Sequence, residues 1–239
     1  MKKTNDGLYY KFRSAKQDEH LEDIFKNQRL FAATRNKLND PMEGIYKLVE
    51  SDKPSKTSSV GNITEQKNII NFIEAIKNVK MQYRICAFSR NKNTLLLWSH
   101  YADSCSGIAI GFTLKEVPDE NQQFGTDVDY IDNIMRMNLD LKKNQGPEIL
   151  AKDILSKKLK DWEYEDEARV LTKNKYVPIE IKSVVLGPNI SSKSTKYIRD
   201  LVEEYENAYN KTHKDEIKVE ISKESIYELE NIKQRRIMD

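Results

Sequence analysis

Short runs of alternating hydrophobic and polar residues are separated along this chain by stretches whose apolar residues recur at helical spacing. Residues 8–13 alternate aromatic and polar side chains, which predicts a strand. Residues 194–210 carry Ile198, Leu201 and Val202 on one stripe, which predicts an amphipathic helix. The same patterns predict further strands at residues 29–33, 81–89, 108–112, 127–130, 168–171, 179–186, 217–221 and 225–229. They predict further helices at residues 18–26, 69–78, 94–100 and 147–159.

The order of these elements indicates the fold class. Helices are mixed with strands early in the chain and strands dominate later, so we predict an α+β fold with mixed, mainly antiparallel sheets and packed helices. The 239 residues are enough for one large core, and we predict a single domain over residues 1–239. Within it we expect a mobile loop at about residues 50–62 and a C-terminal helix with strands at about residues 194–229.

Composition narrows the function classes. The 40 basic and 38 acidic residues give a net charge of +2, which argues against nucleic-acid binding through overall charge but leaves a local basic face open. No apolar run approaches the length of a membrane span, and the first residues lack the apolar core of a signal peptide, so we expect a cytoplasmic protein without membrane association. Cys86 and Cys105 lack zinc-ligand spacing, and the glycines form no phosphate-binding loop of the Rossmann or Walker kind.

Two clusters of polar and aromatic residues each lead into a predicted core strand. Residues 98–103 contain Trp98, Ser99, His100 and Tyr101 and precede the strand at residues 108–112. Residues 162–167 are acidic and aromatic and precede the strand at residues 168–171. Polar side chains beside buried strands are stable only where hydrogen bonds or a ligand satisfy them. The two clusters therefore predict one shared cleft and indicate a protein that carries a functional site.

Several motifs resemble one known family. They are the segments at residues 10–13, 30–32, 39–41, 86–89 (with one inserted residue), 97–101 and 107–112, and the spaced residues Lys158, Trp162, Tyr164, Glu165, Glu167 and Arg169. With these motifs the chain resembles the domain-of-unknown-function 2971 (DUF2971) family of bacterial and phage-related proteins, over about residues 8–190. The resemblance implies an association with mobile elements and phage defence.

The order of polar residues is also similar to that of small ADP-ribosyltransferase-like folds, in which a basic residue on the first strand is followed by a Tyr or Ser block and a late catalytic Glu. Arg13, then His100 and Tyr101, then Glu165 or Glu167 occur here in that order. This resemblance implies a split sheet, NAD as co-substrate, no required metal, and a toxin or defence effector that breaks the nicotinamide–ribose bond.

The chemistry of that reaction suggests roles for the candidate residues. A carboxylate stabilises the cationic ribose and orients or deprotonates the acceptor. We take Glu167, Glu165 and His100 as catalytic candidates and favour Glu167, which lies closest to the strand. Because Glu165 and Glu167 are two residues apart, a strand would present both on one side. The candidates for substrate binding are Arg13, Ser99, Tyr101, Trp98, Asn39, Asp40 and Arg169.

Structural alternatives stay open for most of these residues. Glu167 could instead form a salt bridge with Arg169 or Arg13, and Arg13 could pair with Glu165 rather than with a substrate phosphate. His100 could be a histidine at the edge of the core, Asn39 and Asp40 could serve a turn, and Trp98 and Trp162 could be packing residues.

Two other functions also stay open. One is a metal-dependent nuclease with Asp40, Glu165, Glu167 and His100 as ligands of Mg²⁺ or Mn²⁺. The other is a non-catalytic module that binds a small ligand or a partner. The sequence does not specify the acceptor of a transferase, which could be a protein, a nucleic acid or water. It also leaves open whether the strand-rich C-terminal region pairs to form a homo-oligomer.

Overall fold

The computed structural model describes residues 1, 4, 6–49, 63–116, 123–138 and 145–225, with the backbone alone for residues 63–65. The α-helices in this part of the chain are α1 (Glu19–Asn27), α2 (Ile63–Gln82), α3 (Leu95–Tyr101), α4 (Gly146–Leu155) and α5 (Ser192–Thr212). Its strands are β1 (Tyr9–Arg13), β2 (Arg29–Phe31), β3 (Ala33–Thr34), β4 (Tyr46–Val49), β5 (Arg84–Ser89), β6 (Ile108–Leu114), β7 (Gln123–Asp127), β8 (Asp129–Ile131), β9 (Met135–Asn138), β10 (Lys157–Leu159), β11 (Glu167–Thr172), β12 (Tyr176–Leu186) and β13 (Glu220–Lys223). Two 3₁₀ helices span Arg35–Lys37 and Lys160–Glu165.

The main sheet has the strand order β13-β12-β6-β1-β5-β11-β7, while β2 pairs with β12 and β3 pairs with β5. Every pair in it is antiparallel apart from β12–β13. The small β10–β8 and β4–β9 sheets are parallel. The predicted α+β fold with mainly antiparallel sheets is confirmed.

The sheet divides between β1 and β5. These strands share one residue pair, Tyr10 with Ser89, whereas β1 forms five pairs with β6 and β5 forms six with β11. At the other end of the division the chain crosses from one half to the other, because β2 pairs with β12 and, after Ala32, β3 pairs with β5. The two half-sheets therefore enclose a gap that is held at both ends.

Helices α1 and α5 cover one face of the sheet. The Asp18 side chain accepts a hydrogen bond from Leu21 N at 2.8 Å and caps α1. Ser191 accepts one from Ser194 N at 3.0 Å and caps α5. The buried residues of both helices pack with the apolar side chains of β5, β6, β11 and β12 in the largest core cluster. The amphipathic pattern of residues 194–210 thus corresponds to a helix that buries its apolar stripe.

A second core cluster lies around α3. Tyr10 and Phe12 alternate with Lys11 and Arg13 along β1 and pack with Leu97 and Trp98 of α3. The Trp98 ring is fully buried and meets Phe12 edge-on at a centroid distance of 5.1 Å. Its Nε1 donates to the Lys92 carbonyl at 2.7 Å. Because aromatic packing fixes the position of α3, the residues that follow Trp98 are placed against the gap in the sheet.

The structure corrects the prediction of one helix over residues 147–159. Helix α4 ends at Leu155, and residues 157–159 form β10, which pairs with β8. The Ser156 hydroxyl donates to the Lys152 carbonyl at 2.6 Å. Such a side-chain hydrogen bond competes with the backbone hydrogen bonds of the helix and favours the end of α4 at this point.

Other differences are smaller. The strand predicted at residues 127–130 is two strands that meet at Val128, and the strand predicted at residues 217–221 begins only at Glu220. The predicted mobile loop at residues 50–62 and nearly all of the strand at residues 225–229 lie outside the described residues. None of the helices in the described ranges is both long and apolar enough to cross a membrane.

Candidate active site

The gap between β1 and β5 forms a cleft of about 410 Å³, within the usual size range of small-molecule sites. Its polar lining residues are Lys11, Arg13, Lys37, Asn39, Glu43, Ser89, Tyr101, Lys158, Glu165 and Glu167. Its aromatic lining residues are Tyr10, Phe12, Phe31, Phe88 and Tyr101. The two polar clusters of the sequence therefore meet at one cleft.

Glu165 and Glu167 reach this cleft from two different elements. Glu165 is the last residue of the 3₁₀ helix, Asp166 has a left-handed backbone with φ of 42°, and Glu167 begins β11. The two glutamates therefore do not lie on one strand, so the strand geometry that their two-residue spacing would allow does not apply. Aspartate is one of the few residues that adopt this conformation readily.

Arg90 and Ser89 hold the turn at Asp166. The Arg90 side chain donates to Asp166 Oδ1 from Nε at 2.9 Å and from Nη2 at 2.6 Å, and Arg90 N donates to the Asp166 carbonyl at 3.0 Å. The Ser89 hydroxyl donates to the Glu165 carbonyl at 2.7 Å. Because the turn is fixed from both sides, the two glutamates have defined positions.

Lys158 joins the two carboxylates. Its Nζ lies 2.5 Å from Glu165 Oε2 and 2.9 Å from Glu167 Oε2, and all three side chains are buried. Behind them, the fully buried Arg169 donates from Nε to Glu167 Oε1 at 2.6 Å and from Nη1 to the Leu155 carbonyl at 2.6 Å, and it also pairs with Glu43. We call these five residues (Glu43, Lys158, Glu165, Glu167 and Arg169) the charge cluster.

Burial and neighbouring charges separate the pKa values of the three glutamates. Burial raises the pKa of Glu165, and the nearby Lys158 offsets this only in part. Burial also acts on Glu167, but the charges of Arg169 and Lys158 outweigh it and lower the pKa of Glu167 to about 2. Burial raises the pKa of Glu43 to about 7 in spite of Arg169. Glu167 is thus held ionised, whereas Glu165 accepts a proton more readily.

Tyr101 connects Glu165 to the surface. Its hydroxyl donates to Glu165 Oε1 at 2.7 Å and accepts a hydrogen bond from Asn39 Nδ2. Burial and the Glu165 carboxylate raise the pKa of Tyr101, so the phenol remains a donor. Each Glu165 oxygen therefore has a partner of its own, Tyr101 for Oε1 and Lys158 for Oε2.

The β1 wall of the cleft carries two cations. Lys11 Nζ donates to the Ala87 carbonyl at 2.5 Å, and burial lowers the pKa of Lys11 to about 8. Arg13 Nε is buried and has no hydrogen-bond partner within the described part of the chain. Burial also lowers the pKa of Arg13. The alternative pairing of Arg13 with Glu165 or Glu167 is not present.

The structure brings some of the sequence candidates together and leaves others apart. Arg13, Asn39, Tyr101, Glu165 and Glu167 line the cleft. Arg169 lies behind it, in the ion pair with Glu167 that the sequence left open.

The remaining candidates do not line the cleft. Trp98 is in the core, Ser99 is exposed, and the exposed His100 has Nδ1 3.3 Å from the Tyr164 hydroxyl. Asp40 is buried and its Oδ1 accepts from Met42 N at 2.8 Å, as expected for a turn residue.

Three residues of the site were not singled out for a role. Lys11 shares a strand face with Arg13, since residues two apart do so, and that spacing could have identified it. Lys158 occurs in the motif with Trp162, where its position indicates proximity to the acidic cluster but no function. Glu43 has no local signal in the sequence, because the turn after Asp40 brings it to Arg169.

The ligand set suggested for a metal-dependent nuclease is not assembled. Among the described residues, no three His, Cys, Asp or Glu side chains are placed to hold a metal ion together. The oxygens of Glu165 and Glu167 already bind Lys158, Arg169 and Tyr101. Asp40, Glu165, Glu167 and His100 therefore do not form a common site.

Comparison with known proteins gives two matches. The chain is similar in structure to DarT from Thermus sp. 2.9, solved in complex with ADP-ribosylated ssDNA, with 9% identity, a TM-score of 0.40, and coverage of 93% of this chain and 97% of that chain. No curated protein matches. The family model described as "Protein of unknown function (DUF2971)" matches residues 97–170, which contain Tyr101, Lys158, Glu165 and Glu167. The predicted resemblance to the DUF2971 family is thus confirmed over residues 97–170.

Proposed function

We propose that this protein is an enzyme that binds NAD in the split-sheet cleft and breaks the bond between nicotinamide and ribose, with Glu165 as the reacting carboxylate. The observation that carries the proposal is the position of Glu165 in the cleft wall, with Oε1 bound to Tyr101 and Oε2 bound to Lys158. A carboxylate held by two donors is oriented before a substrate arrives, and this is the arrangement from which electrostatic catalysis gains most.

The reaction requires such a group. As the bond breaks, its electron pair leaves with nicotinamide and the ribose carbon becomes cationic. A nearby carboxylate stabilises this charge, and an acceptor oxygen then forms the new bond and gives up its proton. The raised pKa of Glu165 makes it the better base of the cleft pair. The acceptor is water, a protein or a nucleic acid.

We assign the role to Glu165 rather than to Glu167, which the sequence favoured. Both glutamates line the cleft, but Arg169 and Lys158 hold the Glu167 oxygens and keep its pKa at about 2. A carboxylate of such low pKa is a weak base at neutral pH. In this proposal, Glu167 positions Lys158, which in turn orients Glu165.

The remaining lining suits a nucleotide with a planar ring. Phe31, Phe88 and Tyr10 provide aromatic surface against which nicotinamide or adenine can pack. Arg13, which lines the cleft from β1, provides a cation for the phosphates. The cleft thus combines apolar, cationic and anionic walls, as the different parts of NAD require.

The test is nicotinamide release from NAD by the purified protein, with and without added protein or single-stranded nucleic acid. We expect release by the wild type and a loss of about 100-fold or more in Glu165→Gln, which removes the charge at nearly constant volume. Lys26→Met, at an exposed helical ion pair outside the cleft, is the matched control and keeps full activity. Thermal unfolding of each variant verifies folding.

Two results would contradict the proposal. Equal rates for the wild type and Glu165→Gln would exclude Glu165 as the reacting group. Degradation of nucleic acid that stops on addition of a chelator, without nicotinamide release, would favour the nuclease. If the protein is a toxin, Glu165→Gln also relieves growth inhibition on expression, whereas Lys26→Met does not.

A further inference from the structure

The charged side chains of the cleft fall into two sets. Lys158 and Arg169 each bind carboxylates, and the three carboxylates of the cleft (Glu43, Glu165 and Glu167) are all bound by them. Within the described ranges, Lys11 and Arg13 have no carboxylate partner: Lys11 donates only to the Ala87 carbonyl, and Arg13 Nε is without an acceptor. Apart from the exposed Lys37, the acids and bases of the cleft therefore leave two partly buried cations without an ion-pair partner.

These two cations lie side by side. Lys11 and Arg13 occupy alternate positions of β1 and line the same cleft, which places their Cα atoms roughly 6.6 Å apart along the strand. Both positions are fixed by the ladder to β6, in which Lys11 is opposite Ile110 and Arg13 is opposite Ile108. The separation is therefore set by the strand rather than by flexible loops.

A partly buried cation without an ion-pair partner is unfavourable. Burial removes part of its hydration, and the protein does not compensate with a directly paired carboxylate or with enough hydrogen-bond acceptors. A buried polar atom such as Arg13 Nε without a hydrogen bond is uncommon and calls for a missing acceptor. The lowered pKa of Lys11 has the same cause, burial without sufficient compensation. A bound anion would remove the deficit at both positions.

We propose that Lys11 and Arg13 form an anion subsite that binds the diphosphate of a nucleotide. Two linked phosphoryl groups present acceptors to both cations at once, and the guanidinium fork matches phosphate oxygens in particular. The inference rests on the proposed function only for the identity of the nucleotide as NAD; the preference for a diphosphate rests on Lys11 and Arg13 alone. Lys11 is the residue that this assignment adds to the site.

The test is calorimetric titration of the full chain with pyrophosphate, ADP-ribose, AMP and adenosine at one fixed ionic strength. We expect ADP-ribose and pyrophosphate to bind, AMP to bind more weakly, and adenosine to bind at least about tenfold more weakly than ADP-ribose. Lys11→Met and Arg13→Met should each weaken ADP-ribose binding about 10- to 100-fold, the range for a lost charge-assisted hydrogen bond, and leave adenosine binding unchanged.

Two further sets of variants keep the result interpretable. Lys11→Arg and Arg13→Lys retain the charge and should bind pyrophosphate within about tenfold of the wild type, so a loss in the methionine variants is not a loss of fold. Lys37→Met is the matched control, because Lys37 is an exposed lysine at the same cleft, and it should change affinity less than about threefold.

Equal binding of adenosine and ADP-ribose would overturn the subsite, and so would equal losses in Lys37→Met and Lys11→Met, which would indicate only a general positive field. The outcome is separable from that of the proposed function. If pyrophosphate binding depends on Lys11 and Arg13 but NAD releases no nicotinamide, the subsite stands and the proposed function fails. If nicotinamide is released at full rate by Lys11→Met and its affinity for ADP-ribose is unchanged, the proposed function stands and the subsite fails.

Discussion

The two walls of the cleft use charge in opposite ways. On the β11 wall, Lys158 and Arg169 form ion pairs with three buried glutamates in a continuous network. On the β1 wall, Lys11 and Arg13 are cations that form no direct ion pair with a carboxylate of the described residues. Removing one partner of a buried ion pair destabilises the fold, whereas a buried cation without an ion-pair partner lowers stability until an anion binds. In the proposed function, the paired wall holds the reacting Glu165 in place and the unpaired wall binds the phosphates.

The largest expected effect is that of Arg169→Met on the matched wall. The substitution leaves Glu167 and Glu43 buried without their cation, and removing one partner of a buried pair costs about 3–5 kcal/mol. The free energy of unfolding, measured by urea denaturation at pH 7, should fall by that amount. Lys26→Met, which removes an exposed helical pair, serves as the control and should leave the denaturation midpoint unchanged. Equal midpoints for the two variants would refute the structural role of the charge cluster.

Lys11→Met should have the opposite sign. The folded protein holds Lys11 with a pKa of about 8, below the ordinary value of 10.5, so the unfolded chain binds more protons between these values. The stability of the wild type should therefore rise as the pH increases from 8 to 10.5. At pH 7, Lys11→Met should be more stable than the wild type by roughly 2–3 kcal/mol and should lack this rise. Denaturation curves at pH 7, 9 and 10.5 provide the measurement, and destabilisation at pH 7 would show that Lys11 is matched after all.

Glu43→Gln tests the glutamate of the charge cluster whose ionised form is only partly stabilised by Arg169. The pKa of Glu43 in the folded protein is about 7, above the ordinary 4.5, so the folded state binds more protons between pH 4.5 and 7. This group's contribution to stability should be present below pH 4.5 and be lost as the pH rises through 7, by roughly 2 kcal/mol. Unfolding at pH 5 and pH 7.5 should show this difference in the wild type and a smaller one in Glu43→Gln. An unchanged slope would contradict the assignment.

Tyr101→Phe should give the smallest change in stability, about 1 kcal/mol, because it removes one half-buried hydrogen bond to Glu165. If Glu165 is the reacting group, the same variant should lose nicotinamide release by a larger factor than its stability change accounts for. The exposed Asn39 donates to the Tyr101 hydroxyl and does not contact Glu165 through this hydrogen bond. Asn39→Ala is therefore a control that should reduce stability and activity less than Tyr101→Phe does. Equal activity of Tyr101→Phe and the wild type would show that the Tyr101 hydroxyl has no role in the reaction.

Much of this arrangement follows from local sequence pattern. The alternation in residues 8–13 predicts that Lys11 and Arg13 share a face, and the periodicity of residues 194–210 predicts the buried stripe of α5. Such patterns are reliable because the side chains themselves set the period. The convergence of residues 98–103 and 162–167 on one cleft could also be expected, since both precede core strands.

The rest depends on contacts that no local pattern contains. The single pair between Tyr10 and Ser89, which opens the sheet, is set by registers between strands far apart in sequence. The left-handed Asp166 separates Glu165 from β11, and the two-residue spacing of the glutamates does not reveal this turn. The sequence likewise could not show that Arg169 and Lys158 bind the carboxylate oxygens of Glu167. Because of these ion pairs, the favoured reacting carboxylate changes from Glu167 to Glu165.

The way in which the gap in the sheet is bounded has a consequence for selectivity. One end is held by the pair of Tyr10 and Ser89, and the other by the chain that passes from β2 to β3 across Ala32. Widening the gap would require strand pairs to break, so the ligand of the proposed function would enter a slot of nearly fixed width. A preformed slot demands little reorganisation on binding and favours flat rings and slender chains over bulky groups. Discrimination among ligands would then arise from steric fit at the entrance, before any charge inside is reached.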